Sequence, residues 1–387
     1  MESELQPKPR SVGLASSGIT NLAQRTSDFR LELAPVPEPF ERMRFYLREI
    51  GQGPRSGRDL TREEARDAMG LILSGGATRA QVGGFLLVER FKGESPEELF
   101  GFAEAVRATA TTIAPGVEGL LDIGSPYDGR KKSIVVSPAS SIVAAAAGVP
   151  VVMHGEKDLG PKHGVPIGDV LEALELPVDL SPEQVQSAIE QTGLAYMHSE
   201  RFASAVYALK DLREEIALRT VFATIEKIYN LANASYSILG LAHLPYAGKM
   251  LAAAAHTGFK RILIIQGIEG NEDAPTSRPC RAFFWQDGEQ QELRIDASEY
   301  GLSAASKEEM EGGDAAYNAA IARRILDGEP GAHRDLVLLN AGIRIWLAER
   351  APSIGDGIDT ARAAIESGAA ARKLEEACRL LPGATTT

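Results

Sequence analysis

The chain has 387 residues, 44% of them hydrophobic, enough for one large domain or two ordinary ones with a sizeable core. A formal net charge of -12 excludes general affinity for nucleic acid or anionic membrane over the whole surface, so any polyanion site must be a local concentration of cations. Cys280 and Cys378, far apart and without metal-type spacing, exclude a disulfide scaffold. No stretch reaches the roughly 18 apolar residues of a membrane span and no apolar secretory core stands near the start, so a cytoplasmic protein is expected.

Residues 1–38 are rich in Pro, Ser and charge with no sustained hydrophobic period, which predicts a flexible arm. Residues 39–110 predict a small all-helical domain. Its helices are announced by capping boxes: Thr61 with Glu64, Thr78 with Gln81, and Ser95 with Glu98, the last with Pro96 at the first helical position.

After Ala110 the period alternates between strand and helix, so residues 111–387 predict an α/β domain. Ile134 to Val136 is a short β-branched run, Ala139 to Ala147 suits a helix, and Gly148 to Met153 is an apolar strand, together a β-α-β unit. A helix-rich insertion opens at Ser181-Pro182-Glu183, and part of residues 180–230 is expected to pack on the helical domain. The strand Arg261 to Gly267 resumes the sheet, and helices dominate after Gly312. The fold class is therefore α/β: a small all-helical domain plus a large α/β domain with a central, mostly parallel sheet. Ligands of such a sheet gather at the carboxyl ends of its strands.

Three polar segments share that position. DIGSPYDGRKKS, Asp122 to Ser133, carries Gly124, Asp128 and the cations Arg130, Lys131 and Lys132. His154, Gly155, Glu156 and Lys157 follow the strand ending at Met153, with Lys162 five residues on, and Glu269 to Asp273 follow the strand ending at Gly267. Each alone fits a solvated turn or a satisfied polar group, but their common place predicts one crevice. Nothing has the pattern of a Ser-His-Asp or Cys-His site, and the six histidines lack paired metal spacing.

The runs SSIVAAAAGVPVVMHG, GDVLEAL, LREEIALRTVF and GGDAAYNAAIARRILDGEPGAHRDLVLLNA resemble the anthranilate phosphoribosyltransferase family, which shares its fold with pyrimidine nucleoside phosphorylases. The resemblance runs from about Phe40 to Ala348. It implies transfer of a ribosyl phosphate from phosphoribosyl pyrophosphate to a nitrogen acceptor, with Mg²⁺ as cofactor, by a homodimer joined through the helical unit.

The resemblance also implies roles for particular residues. The family's GTGGD loop, whose backbone N–H groups hold diphosphate, matches Gly124-Ser125-Pro126-Tyr127-Asp128. There Pro126 removes a donor and Tyr127 adds bulk, so Arg130, Lys131 and Lys132 are expected to replace the backbone cradle. The KHGN motif matches Met153-His154-Gly155-Glu156, and a carboxylate at Glu156 is expected to repel anthranilate. The serine-rich SVSS segment has become Asp158 to Lys162, losing hydroxyls, while Lys157 and Lys162 add charge. Arg213 matches the arginine that pairs with the acceptor carboxylate, and FNxxGPLTNP has lost its Gly-Pro between Phe222 and Asn230. Glu272 and Asp273 match the magnesium-binding pair.

Three functions follow. The first is phosphoribosyl transfer to an acceptor other than anthranilate. The second is non-catalytic binding of single-stranded nucleic acid or a phosphorylated metabolite, as implied by a family branch outside tryptophan synthesis whose glycine motif is similarly altered. The third is phosphorolysis of the nucleoside phosphorylase kind.

Overall fold

The computed structural model describes residues 38–53 and 56–379, so the predicted arm lies outside the described residues except for Glu38, which already opens a helix. The helical domain contains α1 (Glu38–Gly51), α2 (Arg62–Leu73), α3 (Arg79–Lys92) and α4 (Pro96–Thr109). All three expected capping boxes form: the Thr61, Thr78 and Ser95 hydroxyls accept from the third helical N–H, and that residue's side chain reaches back to the cap. Gly101 lets α4 press onto α2, since a Cβ there would lie 2.4 Å from the Arg62 carbonyl oxygen.

The α/β domain is built on one seven-stranded sheet in the order β3-β2-β1-β4-β5-β6-β7. Its strands are β1 (Leu121–Gly124), β2 (Val151–Gly155), β3 (Leu194–His198), β4 (Tyr236–Gly240), β5 (Arg261–Ile265), β6 (Cys280–Gln286) and β7 (Glu289–Ile295). The first five are parallel, and β6 and β7 add an antiparallel hairpin at one edge. Alternate strand residues enter different apolar clusters: Leu263 and Ile265 pack on one face, Ile262 and Ile264 on the other. Burial on both faces is what unbroken apolar strands of this kind require.

The sequence places the first strand of the β-α-β unit at Ile134 to Val136, and that reading is corrected. The strand is β1, thirteen residues earlier, and the helix α5 (Ser137–Ala146) follows an irregular loop. Ile134 to Val136 are buried without strand pairing, because their N–H groups are taken elsewhere: Ile134 N–H by the Met310 carbonyl and Val135 N–H by the Asn318 side chain.

The strand order reverses between β1 and β4, since the chain winds one way through β1, β2 and β3 and the other way through β4 and β5. The carboxyl ends of β1 and β4 therefore form the switch point of the sheet, where a crevice opens. The short helices Ser204–Tyr207, Lys210–Ile216 and Phe222–Ile228 pack against α3 or α4 and close this end from above.

Candidate functional site

A cleft of about 480 Å³ lies at the switch point. Pro126, Tyr127 and Asp128 enter it from the loop after β1, Arg219, Glu226 and Lys227 from the segment beneath α4, and exposed Phe91 from the end of α3 stands at its mouth.

The loop after β1 is held by buried polar groups. A side chain at Gly124 would be crowded, since a Cβ would lie 2.4 Å from Leu239 Cδ2 and 3.2 Å from the Lys227 carbonyl oxygen, so Leu239 would have to move. The Tyr127 hydroxyl sits 2.8 Å from His154 Nδ1 and touches the Tyr229 hydroxyl, while His154 Nε2 lies 3.0 Å from Asp122 Oδ1. A neutral ring protonated on Nε2 satisfies both neighbours, donating to Asp122 and accepting from Tyr127. Burial pushes the Tyr127 phenol well above its ordinary value, so it stays a proton donor. Asp128 accepts two hydrogen bonds of 2.8 Å from the Arg219 guanidinium.

The cations of DIGSPYDGRKKS divide. Arg130 turns inward and is buried, its guanidinium bonding the Asp273 carboxylate and, at 2.5 Å, the Ile134 carbonyl. Arg344 reaches the other Asp273 oxygen at 2.9 Å. Burial alone would raise the Asp273 pKa, but the Arg130 and Arg344 guanidiniums hold it below the ordinary carboxylate value. Glu272 accepts from the Ser125 and Ser137 hydroxyls on one oxygen, and its other, Oε2, is buried with no partner. Of the two carboxylates expected to hold a metal, only Glu272 thus has an oxygen to offer.

Lys131 and Lys132 have exposed side chains that do not line the cleft. Their N–H groups point at Glu269 instead, 3.4 and 2.9 Å from its carboxylate, which the Ser133 hydroxyl also reaches at 2.7 Å. Burial works against this carboxylate, but the Ser133 hydroxyl and the two N–H groups depress its pKa. The turn holds an anion, and the anion is part of the chain.

Among the remaining expected residues, Gly155 packs on Tyr196, whose hydroxyl would lie 2.8 Å from a Cβ. Glu156 is buried away from the cleft lining, accepting from the Ser199 hydroxyl and, at 2.8 Å, from the Lys157 N–H, with His198 Nε2 at 3.5 Å. The expectation that it faces the acceptor is therefore corrected. Lys157 pairs at the surface with Glu172 at 2.6 Å, and Lys162 approaches Glu269 at 3.9 Å.

Arg213 lines the cleft, but its guanidinium is already paired with the Glu226 carboxylate, NH2 to Oε2 at 3.0 Å. Burial raises the Glu226 pKa, with Arg213 opposing. Sequence reasoning missed Arg219, Glu226, Lys227 and the Asp122–His154–Tyr127–Tyr229 chain. A signal existed for two of them: Glu226 and Lys227 place adjacent opposite charges in the otherwise uncharged helix Phe222–Ile228.

Residues 121–371 match the α/β domain model of a glycosyl transferase family, and residues 46–110 match its helical bundle domain. The anthranilate phosphoribosyltransferase of Brevibacillus brevis is 36% identical over 328 residues, 84% of this chain and 95% of its own. That of Methanocorpusculum labreanum is 37% identical over 327 residues, again 84% and 95%. The crystal structure of anthranilate phosphoribosyltransferase from Thermus thermophilus is 28% identical with a TM-score of 0.77, covering 89% of this chain and all of that one. The Saccharomyces cerevisiae enzyme in complex with PRPP and Mg shares the fold at a TM-score of 0.74 and 20% identity, over 86% and 96% of the two chains.

Proposed function

The chain belongs to the glycosyl transferase family that includes the anthranilate phosphoribosyltransferases, and on that premise we propose that it moves a phosphoribosyl group from phosphoribosyl pyrophosphate to a nitrogen acceptor other than anthranilate. The observation that carries the choice of acceptor is the Arg213–Glu226 pair inside the cleft. A carboxylate acceptor would have to displace a buried carboxylate already bound by two hydrogen bonds, and would then sit beside the displaced charge. A neutral or cationic acceptor meets no such competition.

Magnesium, present with PRPP in the yeast structure, fits this site through Glu272 Oε2, a buried oxygen without a partner. Bound there, it would neutralise charge on the departing diphosphate. Asp273 supports the site from behind: with Arg130 and Arg344 it anchors the loop after β1 to the end of β5 and to the helix Ala332–Leu347. Asp128, held by Arg219, keeps the turn at Pro126 to Gly129 in place. A homodimer joined through the helical domain belongs to the same reading.

The test is product formation from labelled phosphoribosyl pyrophosphate and a panel of aromatic and heterocyclic amines, with and without Mg²⁺. Diphosphate release with a neutral amine and none with anthranilate is expected. Robust formation of phosphoribosylanthranilate overturns the acceptor assignment, and no turnover with any nitrogen acceptor overturns the transferase reading.

A further inference from the structure

Lys227 is a buried lysine that lines the cleft and stands outside the ion-pair pattern around it. Arg213 is paired with Glu226, Arg219 with Asp128, and Arg130 with Asp273. The Lys227 ammonium has one hydrogen-bond acceptor, the Gly240 carbonyl at 3.0 Å, and no carboxylate within 4.0 Å among the described residues. An ammonium removed from water with a single neutral partner is held at a cost in free energy, which an arriving anion relieves.

Its position is equally specific. Gly240 ends β4 and Gly124 ends β1, and the Lys227 backbone lies against Gly124 while its side chain ends at Gly240. Residue 227 thus bridges the two strand ends at which the order of the sheet reverses, the place where a doubly wound sheet receives its ligand.

We propose that Lys227 is the anion receptor of the cleft, its ammonium binding a phosphoryl oxygen of the ligand at the β1–β4 switch point in place of a backbone cradle. The inference rests on the proposed function for the identity of the phosphorylated ligand, but not for the presence of the site. Four groups face Lys227 electrostatically: Arg219 and Lys162 disfavour its charge, and Glu272 and Asp128 favour it. Burial dominates, bringing the amine down to about 8. A bound phosphoryl group adds negative charge beside it, so above pH 8 binding should recruit a proton.

The experiment is calorimetric titration of inorganic pyrophosphate into the full chain at pH 7 and pH 9, each in two buffers of different ionisation enthalpy. Lys227→Met and Lys227→Arg are titrated alongside, with thermal melts to establish that both are folded. Binding at least tenfold weaker in K227M, within a few-fold of the parent in K227R, and proton uptake at pH 9 that K227M lacks are expected. Equal affinity in K227M and the parent, absence of proton uptake in the parent, or no binding of pyrophosphate by the parent at millimolar concentration overturns the proposal. Lys227-dependent binding without phosphoribosyl transfer to any acceptor would remove the transferase reading and leave the receptor standing.

Discussion

Replacing Glu226 by Ala isolates the internal carboxylate that sets the cleft apart. The Glu226 side chain is 4% exposed and that of Arg213 12%, so solvent screens the pair little and it belongs with buried ion pairs. Removing one partner of such a pair costs about 3–5 kcal/mol, because the other charge is left uncompensated, whereas an exposed pair would cost at most about 1 kcal/mol. E226A should therefore melt several degrees below the parent. The vacated space faces the cleft, so a small aromatic carboxylate can bring the missing charge back to Arg213. At ten times its dissociation constant such a ligand stabilises the folded state by about 1.4 kcal/mol. Thermal melts with millimolar benzoate or anthranilate should raise the midpoint of E226A and leave the parent unmoved. If neither carboxylate stabilises E226A more than the parent, Glu226 is not standing in for a ligand's carboxylate and the acceptor argument loses its support.

The double variant Lys131→Ala, Lys132→Ala should melt within about 1 °C of the parent and bind pyrophosphate within threefold of it, since exposed cations contribute little to folding and these two lie outside the cleft; a tenfold loss on titration would return the phosphate site to the loop. The Lys227 amine is lowered from 10.5 to about 8, so its cost to folding is present in full below about pH 8 and is relieved as pH rises toward 10.5. Denaturant titrations should accordingly show the parent gaining up to about 3 kcal/mol over K227M across that window, at about 1.4 kcal/mol per pH unit. An identical pH slope in the two proteins would show that residue 227 is solvated. Glu272→Gln should abolish any strengthening of pyrophosphate binding by Mg²⁺ while sparing the Mg²⁺-free affinity, as measured by the same titrations; a Mg²⁺ effect that survives E272Q would place the ion elsewhere.

What was legible in the sequence is what local chemistry specifies. Thr61, Thr78 and Ser95 declare their helices through contacts three residues away, and all three boxes form. The rule that parallel strands offer ligands their carboxyl ends led to three polar segments that do touch, Glu272 meeting Ser125 and Tyr127 meeting His154, but of the expected site residues only Asp128 and Arg213 line the cleft. β3 and β4 escaped because LAYMH and YSILG mix polar and aromatic residues into a brief run with at most one β-branched residue, whereas GVPVVM and RILII read as unbroken apolar strands. Ile134 to Val136 misled for the converse reason, being apolar and β-branched for burial under Met310 and Asn318 without pairing. The partners of the charges were the least legible. Arg130 and Asp273 are 143 residues apart, Arg219 and Asp128 are 91, and a cation in a loop reads the same whether it faces a ligand or a distant carboxylate.

Those pairings change what the altered loops mean. Glu269 fills the anion-holding turn at Lys131 to Ser133, Glu226 occupies Arg213, and Arg130 takes an oxygen of Asp273. Charges that a ligand or metal would otherwise supply are provided from within, so Arg130, Lys131 and Lys132 are not the cations that replace the lost glycines and serines. What remains unsatisfied at this end of the sheet is therefore informative. Beside Asp122 Oδ2, Asn271 Nδ2 and Thr220 Oγ1, Glu272 Oε2 is a buried carboxylate oxygen without a partner, and Lys227 is a buried ammonium with one neutral acceptor. A bare phosphate answers the second and repels the first, and a bare metal ion does the reverse. A phosphoryl group that carries Mg²⁺ satisfies both at once, presenting its cation to Glu272 and its oxygens to Lys227. That complementarity favours a magnesium-complexed phosphate or diphosphate ester over a nucleic-acid backbone, whose phosphates would meet a cleft of only about 480 Å³ in which Arg213 and Arg219 are already paired with Glu226 and Asp128.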